Sequence, residues 1–184
     1  MSKAYNEWMF HFCKTDSRRL KFVALLAAQD PKAAAEELTR AVTKRGAVAG
    51  VLPTFIPQRP DFGDSWYDPI YAAAEQLGVG LGFHTGTSAD SLGGQRFRKF
   101  LSAHTIDHPA EQMMAMIATI VGGVFERFPK LSIAYLESGI GWVPYMPVKT
   151  GIQQSLKEPG FRVALAIVSL PGMTMHFVAL GFSD

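Results

Sequence analysis

Two side chains able to bind metal or move protons stand where apolar runs stop. His84 ends VGLGFH (79–84) and opens into the small polar residues TGTS, while Glu137 follows LSIAYL and precedes Ser138 and Gly139. A strand that closes on a titratable residue and passes into a Gly/Thr/Ser loop is how parallel barrels present chemistry at the carboxyl ends of their strands. A neutral imidazole and a carboxylate at neighbouring strand ends would share a divalent metal or divide general-acid and general-base work, since burial and mutual charge move their proton affinities toward neutrality. The plainer reading of His84 is a buried, hydrogen-bonded histidine, and polar strand ends occur in any barrel.

Other polar residues carry weaker signals. Asp30, before Pro31 and an Ala/Glu-rich stretch, reads as a helix cap, and Thr54 in LPTFIP reads as a structural strand threonine. The glycines of GVGLG (78–82) precede or lie inside a strand instead of opening a helix, which argues against a phosphate loop. Ser138 is flanked two residues away by Leu136 and Ile140, not by glycines, so a nucleophile elbow is excluded. RFRKF (96–100) reads as a solvated loop face, with a clamp for a substrate carboxylate as its functional alternative. His104 and His108 lie beside it. His108, just before Pro109, is expected to cap a helix or face solvent, with orientation into a pocket as the other reading. Met113, Met114 and Met116 read as core packing.

The elements that would position these groups alternate. LKFVALLAAQD (20–30) is an apolar run; DPKAAAEELTRAVTKRG then starts with a cap and a proline and stops at Gly46. AVAGVLPTF follows, then a Pro/Asp/Gly loop, then YDPIYAAAEQLG, which ends on Gly78, then VGLGFH. A long polar connection over 85–108 leads to PAEQMMAMIATIVGGVFERFPK, whose apolar positions 113, 114, 116, 117, 120, 121, 124 and 125 form a broad helical stripe, and LSIAYLESGIGW closes the series. Short apolar runs without polar alternation, separated by helices, predict an α/β fold with parallel strands covered on both faces. MSKAYNEWMFHFC reads as an N-terminal helix, and no linker divides the chain, so one domain is expected.

With 48% hydrophobic and 18% charged residues and a formal net charge of +2, the composition is that of a soluble globular protein with no electrostatic pull toward nucleic acid. A single cysteine, Cys13, excludes an internal disulfide framework and a multi-cysteine zinc site, and favours the cytoplasm. The start of the chain lacks the features of a secretory signal. Residues 163–182 match a membrane span in length, but Pro171 and Gly172 at the centre predict a turn between two buried strands, so no membrane partner is expected.

RLKFVALLAAQDPKAAAEELTRAV, DPIYAAAEQLGVGLGFHTGT and above all GGVFERFPKLSIAYLESGIGWVPYM resemble the amidohydrolase-related family of metal-dependent hydrolases and decarboxylases, of the aminocarboxymuconate-semialdehyde decarboxylase type. The resemblance implies a distorted (β/α)8 barrel with a divalent metal, usually zinc, at its carboxyl rim. The family's ligands are an H-x-H pair on the first strand, a histidine on a middle strand and an aspartate after the last strand. His84 matches the middle-strand ligand. Glu137 stands where many members carry a proton-handling histidine, which leaves it proton transfer, metal contact or orientation of a neighbour as roles. The implied substrate is a small cyclic or carboxylated organic compound, acted on by hydrolysis or decarboxylation.

The chain departs from that pattern. It contains no H-x-H, and its 184 residues fall short of the roughly 200 to 400 of a complete barrel, as though the first two β-α units were missing from a truncated or frame-shifted product. The expected architecture is a partial (β/α)8 TIM-barrel-like parallel sheet flanked by helices, with barrel residues over 1–146 and a divergent tail over 147–184 packed on the same domain. Asp184 is a weak analogue of the terminal aspartate. One histidine cannot hold zinc as three protein ligands do, so metal binding by this chain alone is expected to be weak or absent. Exposed barrel edges would favour a homo-oligomer. The alternative to an enzyme is a catalytically silent remnant that serves as a binding or interaction module.

Overall fold

The computed structural model describes residues 1–86, 88–139, 141–143, 162–169 and 174–181. Strands β1 (Val23–Leu25), β2 (Ala49–Pro53), β3 (Gly80–His84), β4 (Ile133–Leu136), β5 (Arg162–Ser169) and β6 (Thr174–Gly181) form one sheet in that order. Neighbours from β1 to β5 run parallel, and β6 returns antiparallel to β5. β5 and β6 are the two strands expected within 163–182; their Pro171–Gly172 turn lies outside the described residues. Among the described residues no helix is long and apolar enough to cross a membrane.

The helices are α1 (Ser2–Cys13), α2 (Pro31–Arg45), α3 (Asp68–Leu77), α4 (Leu92–Arg96), α5 (Phe100–Val121) and α6 (Val124–Arg127). α2 forms as its sequence dictates: Asp30 Oδ1 accepts from the Ala33 N–H at 3.1 Å, Pro31 opens the first turn, and Gly46 ends the helix at φ 73°. Gly78 closes α3 in the same left-handed conformation.

One face of the sheet builds the core. Ala24, Leu52, Leu81, Phe83, Ile133 and Tyr135 are buried, with Phe83 and Tyr135 stacked at 5.8 Å. The other face is less covered than expected, since Val23 and Leu25 are exposed. That face would line a closed barrel, which explains why its residues are apolar without being buried here.

The connection over 85–108 is not a plain loop. It contains α4, and α5 begins at Phe100 with Pro109 inside it instead of at its start. Long-range contacts override the local cost of the proline. Asp107 accepts from Ser91 Oγ at 2.8 Å and from the Gly93 N–H at 2.6 Å, while Glu111 accepts from the Leu92 N–H at 2.9 Å. These carboxylates hold α4 against α5 across the proline. The stretch read as one helix to residue 130 breaks at Gly122–Gly123, with Gly123 at φ 69°, and resumes as α6. Of the methionine stripe, Met116 is buried and Met113 packs on the core, but Met114 faces solvent.

Asn6 of α1 closes part of the sheet edge. Its Oδ1 accepts from the Leu25 N–H at 2.8 Å and its Nδ2 donates to the Leu25 carbonyl at 3.1 Å, as a neighbouring strand would. The edge expected to be open at β1 is therefore occupied at Leu25.

Candidate functional site at the carboxyl rim

β3 and β4 are hydrogen-bonded neighbours, and their last paired residues are Phe83 and Tyr135. His84 and Glu137 stand just past that point. His84 Nε2 lies 3.3 Å from Glu137 Oε2, with the two side chains 44% and 40% exposed. Parallel strands in register carry both groups to the same end of the sheet, so 53 residues of separation in sequence become one contact. Glu137 sits at φ 58°, in the left-handed region. That conformation turns the chain away from the sheet immediately after Leu136, at an intrinsic cost of roughly 1–3 kcal/mol for a residue other than glycine.

A third group comes from α5. His108 Nδ1 is 3.7 Å from the same Glu137 oxygen, and its side chain is only 12% exposed. It neither caps a helix nor faces solvent as expected, because α5 starts two turns earlier and places residue 108 on the inward face of an established helix. Burial pulls the His108 pKa down, with the neighbouring His104 in support and Glu137 opposing, so the ring is held toward its neutral form. The His108 ring meets His104 edge-on at 4.5 Å and His84 at 6.0 Å. Histidines 104 and 108, one helical turn apart, share a face of α5. That spacing was visible in the sequence; the true start of the helix was not.

Gln112, a further turn along, was not singled out by any sequence pattern. It is fully buried, and its Nε2 donates to the Phe83 carbonyl at 2.8 Å and the Leu136 carbonyl at 3.1 Å. Ser138 carries no nucleophile geometry; its carbonyl accepts from Trp142 Nε1 at 2.8 Å.

The remaining candidates separate from the rim. Asp30 is a cap. Thr54 and Thr85 are buried and bonded to each other at 3.2 Å, which keeps Thr54 structural. Residues 96–100 are all exposed, as a solvated face requires, and Phe100 stacks on His104 at 5.3 Å. Asp184 lies outside the described residues. Beside the rim, a cleft of about 1080 Å³ has apolar walls from Leu25, Val51 and Pro53, polar groups from Glu37 and Arg40, and His84 at its border.

Among the described residues no group of three or more His, Cys, Asp and Glu side chains is arranged to hold a metal. The His84–Glu137 pair offers one imidazole and one carboxylate, whereas a catalytic site uses three protein ligands and an open position. The described residues alone do not fit a catalytic metal.

Comparison with known proteins gives this geometry its context. The chain is 22% identical over 139 residues to 2-amino-3-carboxymuconate-6-semialdehyde decarboxylase of Dictyostelium discoideum, a match that covers 76% of this chain and 38% of that protein. Its fold matches the crystal structure of 5-carboxyvanillate decarboxylase from Sphingomonas paucimobilis with a TM-score of 0.70 at 21% identity, over 87% of this chain and 52% of that one. It also matches a dihydroxybenzoic acid decarboxylase from a Polaromonas species, solved with manganese and the inhibitor 2-nitroresorcinol, with a TM-score of 0.61 at 22% identity, over 79% and 45% of the two chains. The chain thus spans about half or less of the length of these relatives, and the shared part is α/β with a parallel sheet. The Amidohydrolase family pattern matches residues 2–170, nearly the whole chain. This protein belongs to the Amidohydrolase family.

Proposed function

We propose that the chain carries part of the active-site rim of a hydrolase or decarboxylase of the amidohydrolase type, acting on a small cyclic or carboxylated organic compound. The observation that carries the reading is the 3.3 Å contact between His84 and Glu137 at the ends of adjacent parallel strands. Relatives include a decarboxylase solved with manganese and an aromatic inhibitor. In this reading His84 is a ligand for a divalent metal, zinc or manganese, and further ligands come from outside the described residues.

Glu137 is then the group that handles the proton. Its Oε2 lies 3.3 Å from His84 Nε2 and 3.7 Å from His108 Nδ1, so with His84 given to the metal it is His108 that stands beside Glu137 to exchange a proton. In a decarboxylation the ring–carboxyl bond breaks, carbon dioxide leaves, and the ring carbon takes the proton that Glu137 can deliver. The apolar walls of the adjacent cleft suit the body of an aromatic acid, while the Arg40 guanidinium at the cleft is held by Glu7 and Glu37.

A second reading is favoured by one observation, the lack of a three-donor group among the described residues. In that reading the chain is a catalytically silent remnant that binds but does not turn over. Metal analysis of the purified protein, manganese titration followed by electron paramagnetic resonance, and an ultraviolet assay with hydroxylated benzoates separate the two. The enzyme reading expects near-stoichiometric metal, its loss in His84→Ala, and turnover that falls in Glu137→Gln. Folded, metal-free protein that binds no added manganese and leaves every substrate unchanged would overturn it in favour of the remnant.

A further inference from the structure

We propose that Gln112 is a positioning residue that sets the His84–Glu137 pair, by bridging the main-chain carbonyls of Phe83 and Leu136 that immediately precede the two side chains. The inference takes its functional meaning from the reading of that pair above, but it stands or falls on geometry alone. The β3–β4 ladder stops at Phe83 and Tyr135, and at Glu137 the chain turns away through a positive φ. The Leu136 carbonyl lies past the last β3–β4 pair, where the ladder offers it no donor, and a buried carbonyl left unpaired is costly.

One carboxamide meets this need. It offers two N–H bonds on a single nitrogen, and Gln112 Nε2 reaches Phe83 at 2.8 Å and Leu136 at 3.1 Å. Glutamate would present only acceptors when ionised, leucine none at all, and asparagine the same head on a stem one carbon shorter. Each bridged carbonyl belongs to the peptide unit that leads into the Cα of His84 or of Glu137. A shift of either carbonyl therefore moves a rim side chain, and a 3.3 Å contact tolerates little movement.

The surroundings support a role beyond packing. Among the described residues, Gln112 Oε1 and Ser138 Oγ are buried without a hydrogen-bond partner, and both lie beside this strand end. Buried polar atoms are nearly always satisfied in folded proteins. Their concentration beside Glu137 marks a place where polar groups are kept at a cost to stability, as at functional sites. His108 lies one turn before Gln112 on α5, so a single helix face supplies both the bridge and the third group of the cluster.

Nuclear magnetic resonance on the labelled 184-residue chain tests this without any metal. In the wild type, couplings across hydrogen bonds should connect Gln112 Nε2 to the carbonyl carbons of both Phe83 and Leu136; their absence overturns the proposal. In Gln112→Leu, the ring nitrogen resonances of His84 should move to those of an unpaired imidazole and its proton contacts to Glu137 should vanish. The indole N–H signal of Trp8, on α1, should stay in place. A folded Gln112→Leu protein with wild-type His84 signals and contacts would show that Gln112 only fills space. Should that variant not fold, Gln112→Asn decides: a partial loss of the His84–Glu137 contacts supports the bridge, and unchanged contacts overturn it. Failure of the wild type to bind manganese would count against the functional reading alone and leave this result intact.

Discussion

Replacing Asn6 by alanine should destabilise the protein far more than loss of one helix side chain normally does. Asn6 is fully buried and makes three hydrogen bonds: with the Leu25 N–H at 2.8 Å, the Leu25 carbonyl at 3.1 Å and Glu37 Oε1 at 2.8 Å. Alanine removes all three and leaves both main-chain groups of an edge residue without their protein partner. A buried group left unpaired costs about 1–3 kcal/mol, but Leu25 is 36% exposed, so water recovers part of that loss. Glu37 keeps its two bonds to Arg40 and loses little. We therefore expect the low end for each Leu25 group, about 2–3 kcal/mol in all. With a urea dependence of about 1–3 kcal/mol per molar, the unfolding midpoint should fall by roughly 1 M. Urea titration followed by far-ultraviolet circular dichroism measures the midpoint, and hydrogen exchange at the Leu25 amide reports the edge directly. An unmoved midpoint with unchanged Leu25 protection would refute the claim that α1 closes this edge through Asn6.

Glu111 should make stability fall with rising pH. Burial raises its pKa, with nearby Asp107 in support and the Leu92 N–H opposing. The folded state thus holds the proton more tightly than the unfolded chain, so its contribution is full below the ordinary value of 4.5 and is lost as pH rises through the raised one. Glu111→Gln, which can still accept from Leu92, should flatten that part of a stability profile and raise the melting temperature at neutral pH. Gly93→Ala should cost about 1–3 kcal/mol in urea titration, since an added Cβ would meet the Ala103 carbonyl oxygen at 2.5 Å and Asp107 Oδ1 at 2.7 Å. A wild-type midpoint in that variant would mean that α4 is not held tightly on α5.

The rim pair was legible because it depends on patterns that are local in sequence. Apolar runs that end on His84 and just before Glu137 mark strand ends, and Asp30, Pro31, Gly46 and Gly78 mark helix ends by their own backbone chemistry. Parallel β-α alternation then brings successive strand ends to one side, and β3 beside β4 closes the distance to 3.3 Å.

What the tertiary structure decided has no such local signature. Pro109 by itself signals a helix start, yet α5 runs through it because Asp107 and Glu111 are needed on the N–H groups of Leu92 and Gly93. That choice rotates His108 inward toward Glu137 and places Gln112 between two strand carbonyls. Asn6 likewise looks like an ordinary polar residue of α1 until β1 lies beside it. A hydrogen bond satisfied by a residue far away in sequence leaves no periodicity to read, and it is these long-range bonds that draw two strand ends and a helix into one cluster.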